Sequence, residues 1–417
     1  MGIYEIDETV THLFRQESGK MCAVLTKLFG LNQVQIVEDL VQETLMSALE
    51  VWKTNGVPEN PSAWLYRVAK NRTIDFLRRE RNFNTVIAPN ISKKLQQQHE
   101  DSAWLDAFFL ESEIQDAQLR MMFACCHPEL SAEQQIAMIL RTLCGLTAKE
   151  ISIAFSQTEE TLSKRIFRAK EKIRSAKLRL EVPIGQALLT RVDAVLQIIY
   201  LLFNEGYKSS TDNAVIRKDL CGEALRLSAI LVQSEACKLP KAHALLSLIC
   251  FQSARFDARI DKYGKIILLE DQDRSLYNQR LIRLGYEHLK KASIGREVSE
   301  YHLEAAIASY YTVAPSFDQT NFQAIFYCYE LLWQINPSPF IALNKAIALG
   351  HYKGAEYGIE ALHEIKDLEN NYVYHSALGD FYKKIGQNIQ SKMCYDKAMI
   401  YVTLPAEKEL LKAKMKF

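Results

Sequence analysis

The sequence predicts an all-α protein: two small helical modules, then a larger helical array. Three observations carry this. Breakers are scarce, with 16 glycines and 10 prolines in 417 residues. Apolar residues recur every three to four positions through most of the chain. Side-chain caps recur before apolar runs, as at Ser131 with Gln134 and Thr147 with Glu150.

Composition narrows the class. At 417 residues and 48% hydrophobic, the chain can bury several cores, about two to four domains by length. A net charge of +1 argues against a generally polyanion-binding surface but allows local basic ones. The first residues, "MGIYEIDETV", lack an apolar core, so no secretory leader is expected. The run Val195–Phe203 is too short to span a bilayer. Nine irregularly spaced cysteines read as reduced thiols of a cytoplasmic protein. Cys125–Cys126–His127 lacks a paired C-x-x-C, so neither metal nor cofactor is expected.

The first module opens with "VEDLVQETLMSALEVWK" (Val37–Lys53). Leu40, Val41, Leu45, Ala48, Leu49 and Trp52 form its apolar stripe, and Glu38, Asp39, Gln42 and Glu43 its acidic, polar edge. Asn60–Pro61–Ser62 then starts a second helix. Its stretch Trp64–Arg81 holds six basic residues and two acidic ones. Leu65, Ala69, Thr73, Phe76 and Leu77 share one side; Arg67, Lys70, Asn71, Arg78 and Arg81 lie opposite. By itself this is a solvated basic face. Asn71 and Arg72 add groups that reach bases and phosphates, and Trp64 and Tyr66 add flat surface for unstacked bases.

The second module is a helix-turn-helix. The Ser131 helix stops at Gly145, and Thr147 with Glu150 opens the short helix "AKEISIAF". Ser156–Gln157–Thr158 makes the turn. Thr158 caps a third helix, with Glu159 and Glu160 favoured by its dipole. Ile151 and Ala154 pack on Leu162 and Ile166. From Ser163 to Arg179 there are eight basic residues and one acidic, and Lys170 stands among the exposed ones. Between the modules, Asn82–Glu113 reads as a polar linker passing into a short acidic, aromatic segment.

The rest is apolar-periodic. His375–Met399 places Leu378, Gly379, Tyr382, Tyr395 and Ala398 at tetratricopeptide spacing, and other helical pairs are degenerate. Within it, Ala254–Asn278 gathers Arg255, Asp257, Arg259, Asp261, Glu270, Asp271, Asp273 and Arg274. "DKYG" reads as a tight turn between extended pieces, "ARFDARI" and "KIILLE". Acids so grouped could bind metal or move protons. An internal ion-pair network is the preferred reading, because matching arginines balance the charge.

The Val37–Arg81 block resembles region 2 of sigma factors, and Leu130–Leu180 resembles region 4. The blocks "YLLFNEGYKSS", "FDARIDKYGKIILLEDQDRSLYN" and "SPFIALNKAIAL" extend the resemblance from about Val10 to Leu411. It is to the extracytoplasmic-function branch of the sigma-70 family, in the group with a C-terminal tetratricopeptide-like extension. The resemblance implies domains at 8–82 (region 2), 83–116 (linker), 117–181 (region 4) and 182–417 (regulatory array). It implies that Asp39, Leu40, Gln42 and Glu43 meet the β′ clamp of RNA polymerase core, whose β flap is a further partner. It assigns Trp64, Arg67, Lys70, Asn71, Arg72, Arg78 and Arg79 to the -10 element of promoter DNA. Thr161, Ser163, Lys164, Arg165 and Arg168 fall to the -35 element. Phe155–Ser156 and Glu159–Glu160 depart from the usual turn and leave the DNA sequence preference open. The extension implies a regulatory role and a possible protein partner, with no membrane.

Such a protein is not an enzyme. A conventional helix-turn-helix regulator with a helical sensor domain shares the second module but leaves Val37–Arg81 unexplained. An enzyme seated in the Asp257–Arg274 cluster lacks a nucleophile with its base and a Gly-rich phosphate loop.

Overall fold

A computed structural model describes residues 3–79, 103–154, 157–208, 216–261 and 263–415. Residues 80–102, which hold Arg81 and the first part of the expected linker, lie outside the described residues, as do Phe155 and Ser156. Among those described, regular structure is helical apart from one antiparallel bridge, Ile260 with Ile266. The chain divides into two compact units, Met1–Leu201 and Leu202–Phe417.

The first unit opens with α1 (Ile3–Phe29), α2 (Val34–Asn55) and α3 (Pro61–Arg79). Gly30 and Gly56, both at positive φ, end α1 and α2 where a side chain would be strained. Asn60 caps α3, its Oδ1 accepting from the Ala63 N–H at 3.0 Å. Met21, Leu25, Val41, Ala48, Leu65 and Ala69 make the shared core. Phe14 packs on Trp52, and Trp64 meets Trp52 edge-on, each with centroids 5.4 Å apart.

The second half of this unit contains α4 (Glu111–Cys125), α5 (Ala132–Thr142), α6 (Ala148–Ala154) and α7 (Glu159–Ser175). All three caps anticipated from the sequence form: Ser131 with Gln134, Thr147 with Glu150, and Thr158 on the Thr161 N–H. Gly145 (φ +62) closes α5, with the Leu146 N–H returning to Leu140 O at 3.0 Å. Ile151 packs with Leu162 and Ile166, all buried, which sets the helix-turn-helix angle. The expected boundary between linker and region 4, at 116/117, falls inside one continuous helix, α4.

Helix α8 (Gln186–Tyr207) contains the run Val195–Phe203, and the division between the units falls within it. Its 22 residues make it long and apolar enough to cross a membrane by length and composition. Val192, Val195, Leu196, Ile199, Leu202 and Phe203 are nevertheless buried in protein, as in an amphipathic core helix.

The second unit continues with α9 (Lys218–Gln233), α10 (Pro240–Ser253) and α11 (Gln279–Ala292). Then follow α12 (Glu300–Val313), α13 (Phe322–Ile335), α14 (Pro339–Lys353) and α15 (Ala355–His363). The last three are α16 (Tyr372–Lys384), α17 (Asn388–Tyr401) and α18 (Pro405–Lys414). Helix α10 is buried almost all round and forms the spine of the unit's first part. Small residues set the close approaches: Gly285 lies on the Phe251 ring, and Gly379 on the Tyr395 ring. Fully buried Ser391 donates to Gly379 O at 2.8 Å, so the small residue there also ties α17 to α16.

The polar stretch Ala254–Asn278 differs from both expectations. "FDAR" is a turn of helix rather than an extended piece, while the turn expected at "DKYG" is present, with the Gly264 N–H donating to Asp261 O at 3.0 Å, and among the described residues it is flanked by the single Ile260–Ile266 bridge. The arginines do not pair with the nearby acids. Buried Arg255 donates to Gln272 Oε1 at 3.2 and 3.3 Å. The Arg259 guanidinium lies 3.8 Å over the Tyr207 ring. Arg274 donates to Tyr311 O at 2.7 Å. Asp257 pairs with Lys218, while Asp261 and Asp273 accept from N–H groups of their own turns. Glu270 and Asp271 are exposed. Arginine–carboxylate pairs are therefore not what holds this stretch: the three arginines meet oxygen acceptors and a ring face, and backbone N–H groups meet Asp261 and Asp273.

Candidate polymerase and nucleic-acid interface

The first candidate surface is one face of α2. Asp39, Gln42 and Glu43 are exposed, and Met46 and Leu49 continue the same face one and two turns on, 61% and 54% exposed. Leu49 therefore leaves the apolar stripe expected to be buried. Leu40 does the reverse: it is buried beneath the exposed face and cannot touch a partner. An acidic surface edged with exposed apolar side chains suits a protein partner.

The second surface is the outer side of α3. Arg67, Asn71, Arg78 and Arg79 are exposed. Arg78 comes within 4.0 Å of Asp75, a weak exposed pair. Lys70 is bound to Asp106, and Arg72 bridges to Glu43 at 2.5 Å and to Ser47. The two aromatics are not free platforms. Trp64 is half-buried against Trp52. Tyr66 packs 5.1 Å from Phe109 and donates its hydroxyl to Glu17. Burial, the Glu17 hydrogen bond and its charge push the Tyr66 hydroxyl well above its ordinary value, so it stays a donor.

The third surface is α7. Thr161, Ser163, Lys164 and Arg168 are exposed and Arg165 is half-buried. Lys164 pairs with Glu160 at 2.6 Å, one turn back, and Arg165 donates to Gln157 at 2.6 Å. Arg168 makes no ion pair among the described residues, and Phe167 beside it is 65% exposed. Two arginines, a lysine and two hydroxyls within about two turns can hydrogen-bond base edges and hold phosphates.

Sequence reasoning missed how the two halves of this unit meet. Lys170 is not on the outer basic face. It donates to Glu38 at 2.8 Å and to Gln35 at 2.7 Å, reaching from α7 to α2, and Arg141 of α5 comes within 3.7 Å of the same carboxylate. Arg15 of α1 binds Glu150 of α6. Lys27 of α1 holds Glu113 and Asp116 of α4 at 2.7 and 2.5 Å. Backbones touch as well: Gly19 of α1 lies against the Leu143 carbonyl, and Gly145 against Arg15. Burial opposes ionisation of Glu150, but the Thr147 donors and Arg15 overcome it and hold the carboxyl below its usual range. No spacing rule exposes contacts between residues about 135 positions apart.

A basic helix beside an acidic helix and a capped helix-turn-helix define the class, a two-part promoter-recognition unit. Residues 13–83 match Sigma-70 region 2 and residues 120–173 match Sigma-70, region 4. Residues 191–293 match a family of unknown function (DUF6596). An uncharacterized protein of Rhizobium meliloti is 32% identical over 384 residues, 92% of this chain and 90% of that protein. A probable RNA polymerase sigma factor of Haemophilus influenzae is 26% identical over 157 residues, 34% of this chain and 76% of that protein. No solved structure matches. The chain belongs to the sigma-70 family. It is an RNA polymerase sigma factor, which binds the core enzyme and promoter DNA and directs transcription initiation.

Proposed function

We propose that this is a sigma factor of the extracytoplasmic-function type, cytoplasmic and without enzymatic activity, with a C-terminal tetratricopeptide-like regulatory array. The domains run 8–82, 83–116, 117–181 and 182–417. The exposed face of α2, through Asp39, Gln42 and Glu43 and with Met46 and Leu49, docks on the β′ clamp. Leu40 supports that face from beneath. Region 4 meets the β flap. Arg67, Asn71, Arg78 and Arg79 hold the melted -10 strand, with Lys70, Arg72 and Trp64 positioning the helix. Thr161, Ser163, Lys164, Arg165 and Arg168 read and hold the -35 element.

One observation carries the reading: a single compact unit presents an acidic-apolar face and two separate cationic surfaces. A conventional operator-binding regulator needs only the helix-turn-helix. The test is in vitro transcription with purified core polymerase on sheared genomic DNA, with start sites mapped. Specific, core-dependent starts sharing two upstream motifs are expected. Arg168→Ala should lower initiation about tenfold by removing a contact of about 1–3 kcal/mol. Tight operator binding without core, and no specific starts, would overturn the reading.

A further inference from the structure

A cavity of about 480 Å³ opens between α9, α10 and α11 in the second unit. Its size suits a small molecule. Every lining residue falls between 229 and 291, inside the segment that matches a family of unknown function. Val232, Leu246 and Leu284 make the apolar wall, and His243 and His288 the buried polar part, only 7% and 8% exposed. The histidines come from different helices, and their Nδ1 atoms lie 2.9 Å apart. One ring must donate that hydrogen and the other accept it. The pair is then a neutral unit with one N–H and one lone pair left over. Burial lowers both imidazoles, and neighbouring lysines add to this, so the pair remains neutral near pH 7.

The charge at this cavity is one-sided. Lys238 and Lys291 line it, and no carboxylate among the described residues does. Lys238 has Glu235 in its own turn, while Lys291 makes no ion pair among the described residues. Two ammonium groups disfavour a metal ion, as does the engagement of both Nδ1 atoms with each other. They favour an anion, and the apolar wall favours one with a hydrocarbon body.

We propose that this cavity binds a small organic anion, a carboxylate or phosphate ester carrying an apolar group. Lys238 and Lys291 take the charged head, the histidine pair supplies a hydrogen bond, and Val232, Leu246 and Leu284 cover the apolar body. The proposal does not depend on the assignment of the promoter-binding surfaces.

The experiment titrates full-length protein, labelled at histidine ε1 carbons, with benzoate and with phenyl phosphate. Benzamide is the neutral match. The two resonances are assigned with H243Q and H288Q. Saturable shifts of those two signals are expected from either anion at millimolar concentration and not from benzamide. The exposed double variant K238Q/K291Q, with melting temperature retained, should bind at least about tenfold more weakly, or about 1.4 kcal/mol. Equal response to benzamide, undiminished binding by the double variant, or no response to either anion overturns the proposal. So does a micromolar response to Zn²⁺ alone without an anion response, which would make the pair a metal site.

Discussion

Two regions of the molecule treat their partly buried cations differently: the seam within the first unit and the polar stretch of the second. In Met1–Leu201, cations that join distant segments meet carboxylates: Lys170 and Arg141 at Glu38, Arg15 at Glu150, Lys27 at Glu113 and Asp116. In Leu202–Phe417, three arginines of the polar stretch meet an amide, a ring and a carbonyl instead. Ion pairs between separately folded helices respond to salt and to acid. Cations held by carbonyls and ring faces respond to neither and mainly fix a loop. The halves of the first unit are thus joined by contacts that can be released and remade. The polar stretch of the second is fixed by contacts that belong to its folded core, although ion pairs such as Lys345–Glu330 and Lys414–Asp380 join helices elsewhere in that unit.

Three perturbations sharpen the contrast. The largest effect is expected at Gly19. A Cβ there would overlap the Leu143 carbonyl, which belongs to backbone and cannot rotate away. Gly19→Ala should cost about 3 kcal/mol or prise α1 from α5, read by urea unfolding. Unchanged unfolding would show that the contact is not a close one. Next is Glu38, 9% exposed, with Lys170 and Arg141 upon it. Glu38→Gln should cost about 2–3 kcal/mol by leaving those cations uncompensated, and 0.5 M NaCl, at a Debye length of about 4 Å, should shrink the difference. Arg259→Met, about 1 kcal/mol from the lost ring contact, should be indifferent to salt. If both variants respond alike to salt, the comparison fails.

The smallest and most selective effect is on acid stability. His288 and His351 of the second unit are held down to about 4 by burial and neighbouring positive charge. Their unfolded forms take protons first, so stability falls as pH drops from about 6.5 towards 4. Asp116 and Glu150 of the first unit are held below their ordinary values of 3.8 and 4.5, against burial, by their donors and cationic partners. Their contribution is complete above those values and disappears only at lower pH. His127, half-exposed, is the first unit's one described histidine lowered in the same way, mainly by burial. Differential scanning calorimetry from pH 7 to 3 should therefore show the second unit weakening first. The reverse order would contradict the assignment.

Local features were legible in the sequence because local chemistry creates them. The caps at Ser131, Thr147 and Thr158, the stop at Gly145 and the buried stripe of α3 all follow from residues within a turn or two. Pairings across the chain were not. Lys170 has the same side chain as its exposed neighbours, and only tertiary contact turns it inward to Glu38. Tyr66 and Trp64 looked like platforms until Glu17, Phe109 and Trp52 closed on them. In the second unit, charge balance suggested arginine–carboxylate pairs. Short-range N–H donors reached Asp261 and Asp273 first, because a turn's own backbone is always nearest.

Gly19 and Gly145 also offer a way to read relatives. Each stands where backbone meets backbone between the two halves of the first unit. A related chain with a larger side chain at the position of Gly19 cannot close α1 onto the α5 terminus in this manner. Its two promoter-binding halves would move as separate bodies, joined only by the segment between them. One aligned column thus sorts relatives into those that can carry their two halves closed and those that must carry them apart.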